Sequence, residues 1–147
     1  MSFRFCTRRF ICGLMLLFPL AGCSGDSQVL VPVEGKVMLD GAALTKGSVR
    51  FQPDKDKGNT FGSEPVGEIG LDGSYKLMTA GKAGAPAGWY KISVNGMGSA
   101  EIPDSTKPMA IKSPLAAKFN DPLKSGLSVE VVASAPAGTY DLKVSAK

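Results

Sequence analysis

Ala85-Pro86-Ala87-Gly88-Trp89-Tyr90-Lys91-Ile92-Ser93-Val94 is the stretch from which the fold can be read. Tyr90, Ile92 and Val94 stand at every second position, with Trp89, Lys91 and Ser93 between them. Successive side chains of a strand point to opposite faces, so this spacing predicts an apolar inward stripe and a mixed outward one. The pattern returns as Ala135-Pro136-Ala137-Gly138-Thr139-Tyr140-Asp141-Leu142-Lys143-Val144, and in shorter form as Gly73-Ser74-Tyr75-Lys76-Leu77. The shared unit is Gly-x-Tyr-x-aliphatic. It predicts that glycine makes the turn, the ring packs at the core's edge and the hydroxyl finds a backbone partner. Tyr90 and Tyr140 are assigned that role in preference to repeated ligand contacts.

Outward from this stretch, the same period of two recurs. Val31, Val33, Gly35, Val37 and Leu39 share one face of a first run, and Asp40-Gly41 turns the chain. Val49 and Phe51 face inward in a second strand stopped by Pro53, and residues 53–65 read as a polar loop. Short strands follow at 66–69, at Tyr75, Leu77 and Thr79, and at Tyr90–Val94, with a Gly/Ala/Pro connection over 80–88. Residues 95–113 read as a long proline-punctuated loop, and Leu115 to Phe119 as one helical turn. Leu127, Val129 and Val131 predict a sixth strand, and Tyr140, Leu142 and Val144 the last. Seven short strands with one apolar face each predict an all-β, immunoglobulin-like or related Greek-key β-sandwich over residues 30–147.

The N-terminus has another character. Arg4, Arg8 and Arg9 precede an apolar stretch from Phe10 to Leu20, and Leu20-Ala21-Gly22-Cys23 closes it. Basic, then apolar, then small is the order of a secretory signal, and the apolar stretch is far shorter than the ~20 residues of a spanning helix. Leu20-Ala21-Gly22-Cys23 resembles the lipobox of bacterial lipoprotein precursors. That resemblance implies a signal peptide over 1–22, lipidation at Cys23 and a tether over 23–29. Two or three acyl chains would then hold the protein durably, where one would not. In that family an Asp just after the cysteine can favour inner-membrane retention; here Ser24 follows, which leans toward an outer membrane or outward surface. The expected location is the cell envelope, on the outer side of the cytoplasmic membrane or on the outer membrane.

Composition narrows the chemistry. Three of the 17 basic residues lie in the leader and none of the 13 acidic ones, leaving 14 against 13. No clustered basic patch remains, so no nucleic-acid partner is expected. Cys6 and Cys12 fall in the leader and Cys23 at the anchor, so the domain must be held by an apolar core rather than a disulfide. The absence of histidine removes the usual general base near neutral pH, the Ser-His-Asp arrangement and histidine zinc sites.

Val33-Glu34-Gly35-Lys36-Val37, Leu39-Asp40-Gly41-Ala42-Ala43-Leu44 and Gly47-Ser48-Val49-Arg50-Phe51-Gln52-Pro53, in this order, resemble the opening of carboxypeptidase regulatory-like (transthyretin-like) domains. Asp72–Leu77 and Pro86–Val94 continue the likeness. Lys118–Phe119 through Ser125–Val131 is similar to the C-terminal part of short lipoproteins of planctomycete-type bacteria. The resemblance implies a prealbumin-like seven-stranded β-sandwich and no catalysis; it carries over no ligand residues.

Candidate sites are few. Asp54-Lys55-Asp56-Lys57-Gly58-Asn59 invites comparison with a calcium loop, which wants an acid or amide at position five, glycine at six and glutamate at twelve. Those places hold Gly58, Asn59 and Pro65, so a solvated hairpin loop and no metal is expected. Asp40 and Asp72 precede glycine and read as turn residues. Glu34 and Glu68 read as surface charge rather than a carboxylate pair. Trp89 is the candidate partner-binding residue: alternation places its indole on the outer face, where it could stack on sugar or grip a protein. The expected function is a non-catalytic, lipid-anchored module that binds an envelope protein or glycan or serves structurally, with no cofactor. Alternatives are a hydrolase using two carboxylates about 5–10 Å apart, or a small-molecule carrier with an apolar cavity between its sheets.

Overall fold

The computed structural model describes residues 29–97 and 113–146. The expectations placed on the leader, Cys23, the tether before Val29 and residues 98–112 lie outside them. The described residues form strands β1 (Leu30–Val31), β2 (Glu34–Leu39), β3 (Ala42–Ala43), β4 (Gly47–Pro53), β5 (Val66–Ile69), β6 (Ser74–Lys76), β7 (Met78–Thr79), β8 (Lys82–Ala83), β9 (Ala85–Pro86), β10 (Gly88–Gly96), β11 (Ser128–Val131) and β12 (Leu142–Val144). Two 3-10 turns, Lys55–Lys57 and Ala117–Asn120, complete the regular structure, and no α-helix occurs among the described residues.

The main sheet runs β11-β10-β4-β5-β6-β2-β12, with β3 beside β2 and a small β7–β8 hairpin beside β5. It is antiparallel except at one end, where β12 lies parallel to β2 with Leu142 opposite Val37 and Val144 opposite Leu39. The sheet curls on itself, as a β-sandwich requires. β10 and β4 form its backbone, paired from Tyr90 opposite Pro53 to Gly96 opposite Gly47.

The stripes read from the sequence supply the core. Val37, Val49, Phe51, Tyr90, Ile92 and Val94 are each 0 % exposed. Burying an aliphatic or aromatic side chain of this size contributes about 1.5–3 kcal/mol. Phe51 lies between two tyrosines, with ring centroids 5.7 Å from Tyr90 and 6.4 Å from Tyr75, both tilted. The Gly-x-Tyr units give their hydroxyls the backbone partners the pattern predicts, but the Tyr75 and Tyr90 rings lie inside the core rather than at its edge, and Gly88 opens a strand rather than making a turn. Gly73, Gly88 and Gly138 all have positive φ. The Tyr75 hydroxyl donates to the Tyr140 carbonyl at 2.6 Å and that of Tyr90 to the Pro86 carbonyl at 2.9 Å. The Tyr140 hydroxyl accepts from the Val132 amide at 3.2 Å. Burial pushes the Tyr75 and Tyr90 phenols above their usual range.

Three expectations need correction. The 80–88 connection is not plain loop: β8 pairs with β7, and β9 pairs with β1 at Leu30 opposite Pro86. Period-two hydrophobicity cannot find two-residue strands. The strands come as twelve pieces among the described residues, seven of which make the continuous path of the main sheet. The polar 53–65 loop is not simply solvated: Asp54 and Asn59 are buried at 2 % and 8 % exposure. The helical turn predicted from Leu115 to Phe119 is the 3-10 turn at Ala117–Asn120, with Phe119 buried.

Candidate functional site

The outer face of β10 at Trp89 and Lys91 is crossed by residues 54–61, and side-chain hydrogen bonds hold that crossing in place. Pro53 ends β4. The Asp54 amide then donates to the Trp89 carbonyl at 2.9 Å, and the Asp54 carboxylate accepts from the Asp56 amide at 3.2 Å. That is an Asx-type turn, in which a short acidic side chain replaces a backbone partner. The Asp54 carbonyl accepts from the Lys57 and Asn59 amides at 3.1 and 3.0 Å. Gly58 closes the turn at φ 81°, a conformation glycine adopts without penalty. Asn59 also donates its side-chain amide to the Trp89 carbonyl at 2.8 Å and accepts from the Phe61 amide at 3.2 Å. Both ends of Asn59 are thereby satisfied, which permits its burial.

Two lysines complete the site. The Lys91 ammonium lies 3.2 Å from Asp54 and 2.7 Å from Asp56, with 27 % of its side chain exposed. Its hydrogen bond and charge hold the Asp56 carboxyl below the usual carboxylate range, while Asp56 and Asp54 together push the Lys91 ammonium up. Lys57 stands over Trp89, its ammonium 3.6 Å from the ring centroid, and reaches Ser128 on β11 at 3.4 Å. Trp89 is half-buried and stands opposite exposed Glu130 in the β10–β11 register. The outward placement read from alternation therefore holds, with Lys57 covering one face of the indole.

Two shallow grooves flank the crossing loop. One, of about 390 Å³, is lined by Gln52, Asp56, Phe61, Glu64, Lys91 and Leu123 among others. The other, of about 350 Å³, is lined by Lys57, Asn59, Thr60, Phe61, Trp89 and Glu130 among others. Thr60 and Phe61 belong to both, so the loop forms a ridge between them. Sequence reasoning found Trp89 but not the lysine that covers it or the ion pair beside it. The available signal was the Asp-x-Asp-x-Gly-Asn run, which marks a self-bonded turn once the calcium spacing fails.

The acids elsewhere do not converge. Glu34 pairs with Lys76 at 2.7 Å, its register neighbour, while Glu68 stands opposite Ser48. Arg50 holds Glu64 at 3.2 Å. Asp54 and Asp56 do meet, but on the Lys91 ammonium, which favours the charged form of Asp56 and disfavours its role as proton donor. Asp72 is held low by hydrogen bonds from the Ser74 hydroxyl and amide, a turn arrangement. Among the described residues no group of three or more acidic, histidine or cysteine side chains could hold a metal ion. No helix among them is long and apolar enough to cross a membrane. Comparison with protein-family models, curated proteins and solved structures gives no match.

Proposed function

We propose that this chain is a lipid-anchored cell-envelope module, an immunoglobulin-like or prealbumin-like seven-stranded β-sandwich, that works by binding a protein or glycan rather than by catalysis. The observation that carries the reading is Trp89: an indole held on the outer face, half-buried, in the wall of one of the two grooves. Aromatic side chains so placed offer a rigid, amphipathic contact surface at little entropic penalty. The pairing of the carboxylates near it supports a non-enzymatic role. The Tyr90 hydroxyl, bonded four residues upstream at the start of a central strand, supports the sandwich class, where such corners recur. The basic, apolar and Leu20-Ala21-Gly22-Cys23 succession supports the anchor.

The test is in-cell photo-crosslinking from Thr60, on the ridge, and from exposed Lys36, on β2. Lys91 is unsuited because two carboxylates hold its ammonium. A partner captured from Thr60, and lost in a folded Trp89→Ala variant, supports the reading. An unchanged capture profile in that variant counts against Trp89. Metabolic labelling with an alkynyl fatty acid tests the anchor separately: Cys23→Ser should abolish incorporation, and retention of label would refute lipidation at Cys23.

A further inference from the structure

We infer that the open edge of β11 is a self-association surface, on which a second copy of this chain pairs antiparallel about a two-fold axis through Val129. Strand β11 ends the hydrogen-bonded path of the main sheet, and among the described residues β10 is its only neighbour. The parity of that pairing decides what the free edge offers. The Ile92 amide donates to the Leu127 carbonyl at 2.9 Å, so Ile92 and Leu127 are a hydrogen-bonded pair. Two residues further on, Tyr90 faces Val129, and Gly88 faces Val131. Hydrogen-bonded pairs alternate along an antiparallel ladder. The amides and carbonyls of Ser128 and Glu130 therefore point away from β10, toward the open side.

An unpaired edge is a template for another strand, and natural proteins usually blunt it with charge or brevity. Here the edge is short, and its charge is self-complementary. In the antiparallel register that pairs Ser128 with Glu130 of a second copy, both residues present outward backbone groups. They would exchange two hydrogen bonds at each of two symmetric positions. Val129 then meets its own copy, and Leu127 meets the copy's Val131. All three are apolar; Leu127 and Val129 are only partly buried, so pairing covers surface left open in the single chain. On the other face, each Glu130 comes beside Ser128 of the copy, where the Lys57 ammonium already sits at 3.4 Å. Each interface thus gains two Glu130–Lys57 contacts of opposite sign. A one-residue slip would bring inward-pointing backbone groups to the edge, and slips that keep the parity would set Ser128 against Ser128 or Glu130 against Glu130 and lose the contacts with Lys57, so this register is favoured. A strand from an unrelated protein has no reason to match this alternation of aliphatic, serine and glutamate, whereas the chain's own β11 does.

The test uses the full chain in membranes of cells producing it, with Val129→Cys as reporter. At a non-hydrogen-bonded pair the Cα atoms lie about 4.5 Å apart, within the roughly 4.4–6.8 Å a disulfide spans. Mild oxidation should give a disulfide-linked homodimer that neither the unsubstituted chain nor Ala137→Cys, in the exposed turn after β11, gives. In the Val129→Cys background, Glu130→Arg should lower the dimer yield by about tenfold, since two attractive contacts become repulsive. Lys57→Glu should do the same, and the two together should restore it. Equal crosslinking from Ala137→Cys, insensitivity to both charge reversals, or a dominant Val129→Cys adduct with a different protein would each overturn the proposal.

Discussion

Removing one oxygen atom tests how this core is held. Tyr75 is 2 % exposed, and its hydroxyl donates to the Tyr140 carbonyl at 2.6 Å, joining β6 to the segment entering β12 across 65 residues of sequence. Tyr75→Phe deletes the donor but keeps the ring, so the contact with Phe51 survives. The Tyr140 carbonyl is left in an apolar setting, and an unsatisfied buried group of this kind costs about 1–3 kcal/mol. With a urea slope of about 2 kcal/mol per molar, the midpoint of unfolding should fall by about 0.5–1.5 M at unchanged slope. Tyr140→Phe should matter less, about 0.5–1.5 kcal/mol, because its longer bond to Val132 is only partly buried. The assay is equilibrium urea unfolding followed by circular dichroism. A midpoint shift below 0.2 M for Tyr75→Phe, or a larger effect for Tyr140→Phe, would refute the view that this hydroxyl ties the sheet's closing segment to its centre.

Gly35→Ala should destabilise by about 1–3 kcal/mol or more, since a Cβ there would collide with the Tyr140 carbonyl and stand 3.0 Å from the Tyr75 ring; thermal unfolding reads this. Lys57→Ala should shift the emission of the sole tryptophan to longer wavelength and raise its quenching by acrylamide, because the group covering Trp89 is removed. Asp56 is held below its ordinary value of 3.8 when folded, so what its pair with Lys91 contributes is present above that value and fades as pH falls through the lowered one. Asp56→Asn should therefore narrow the difference in stability between pH 6 and pH 3. The Tyr75 phenol is pushed up when folded, so above its ordinary 10.0 the unfolded state loses the proton first and stability should fall with rising pH. The part of the tyrosinate absorbance at 295 nm that Tyr75→Phe removes should then rise together with unfolding, not before it.

Much of this fold is legible in the chain because burial and period coincide. Val49, Phe51, Ile92 and Val94 are read correctly since one face of β4 and β10 is buried along its length. The hydroxyl partners of the three Gly-x-Tyr units are read correctly since a buried hydroxyl needs a backbone partner. What the sequence hides is non-local. Nothing in Leu142-Lys143-Val144 says that it pairs parallel to β2, because alternation carries no information about partner or direction. β8 and β9 are too short to show a period. At the site, Trp89 was legible from alternation alone. Its cover was not, since Lys57 is brought there by the Asp54 turn, and the same acid-rich spelling suits a solvated loop equally well.

The parallel closure of β2 on β12 decides how the domain answers a mechanical load. β2 begins near the N-terminal end of the described chain and β12 finishes near its C-terminal end, and the two run side by side in the same direction. A pull between residues 29 and 146 therefore drags these strands past one another lengthwise. Their hydrogen bonds are loaded together rather than broken one at a time, as they would be in a hairpin pulled from its open end. The β1–β9 contact, two residues long, would yield first and leave the shear-loaded pair as the element that resists. A domain tethered at one end and pulled at the other would thus meet the force with its strongest geometry.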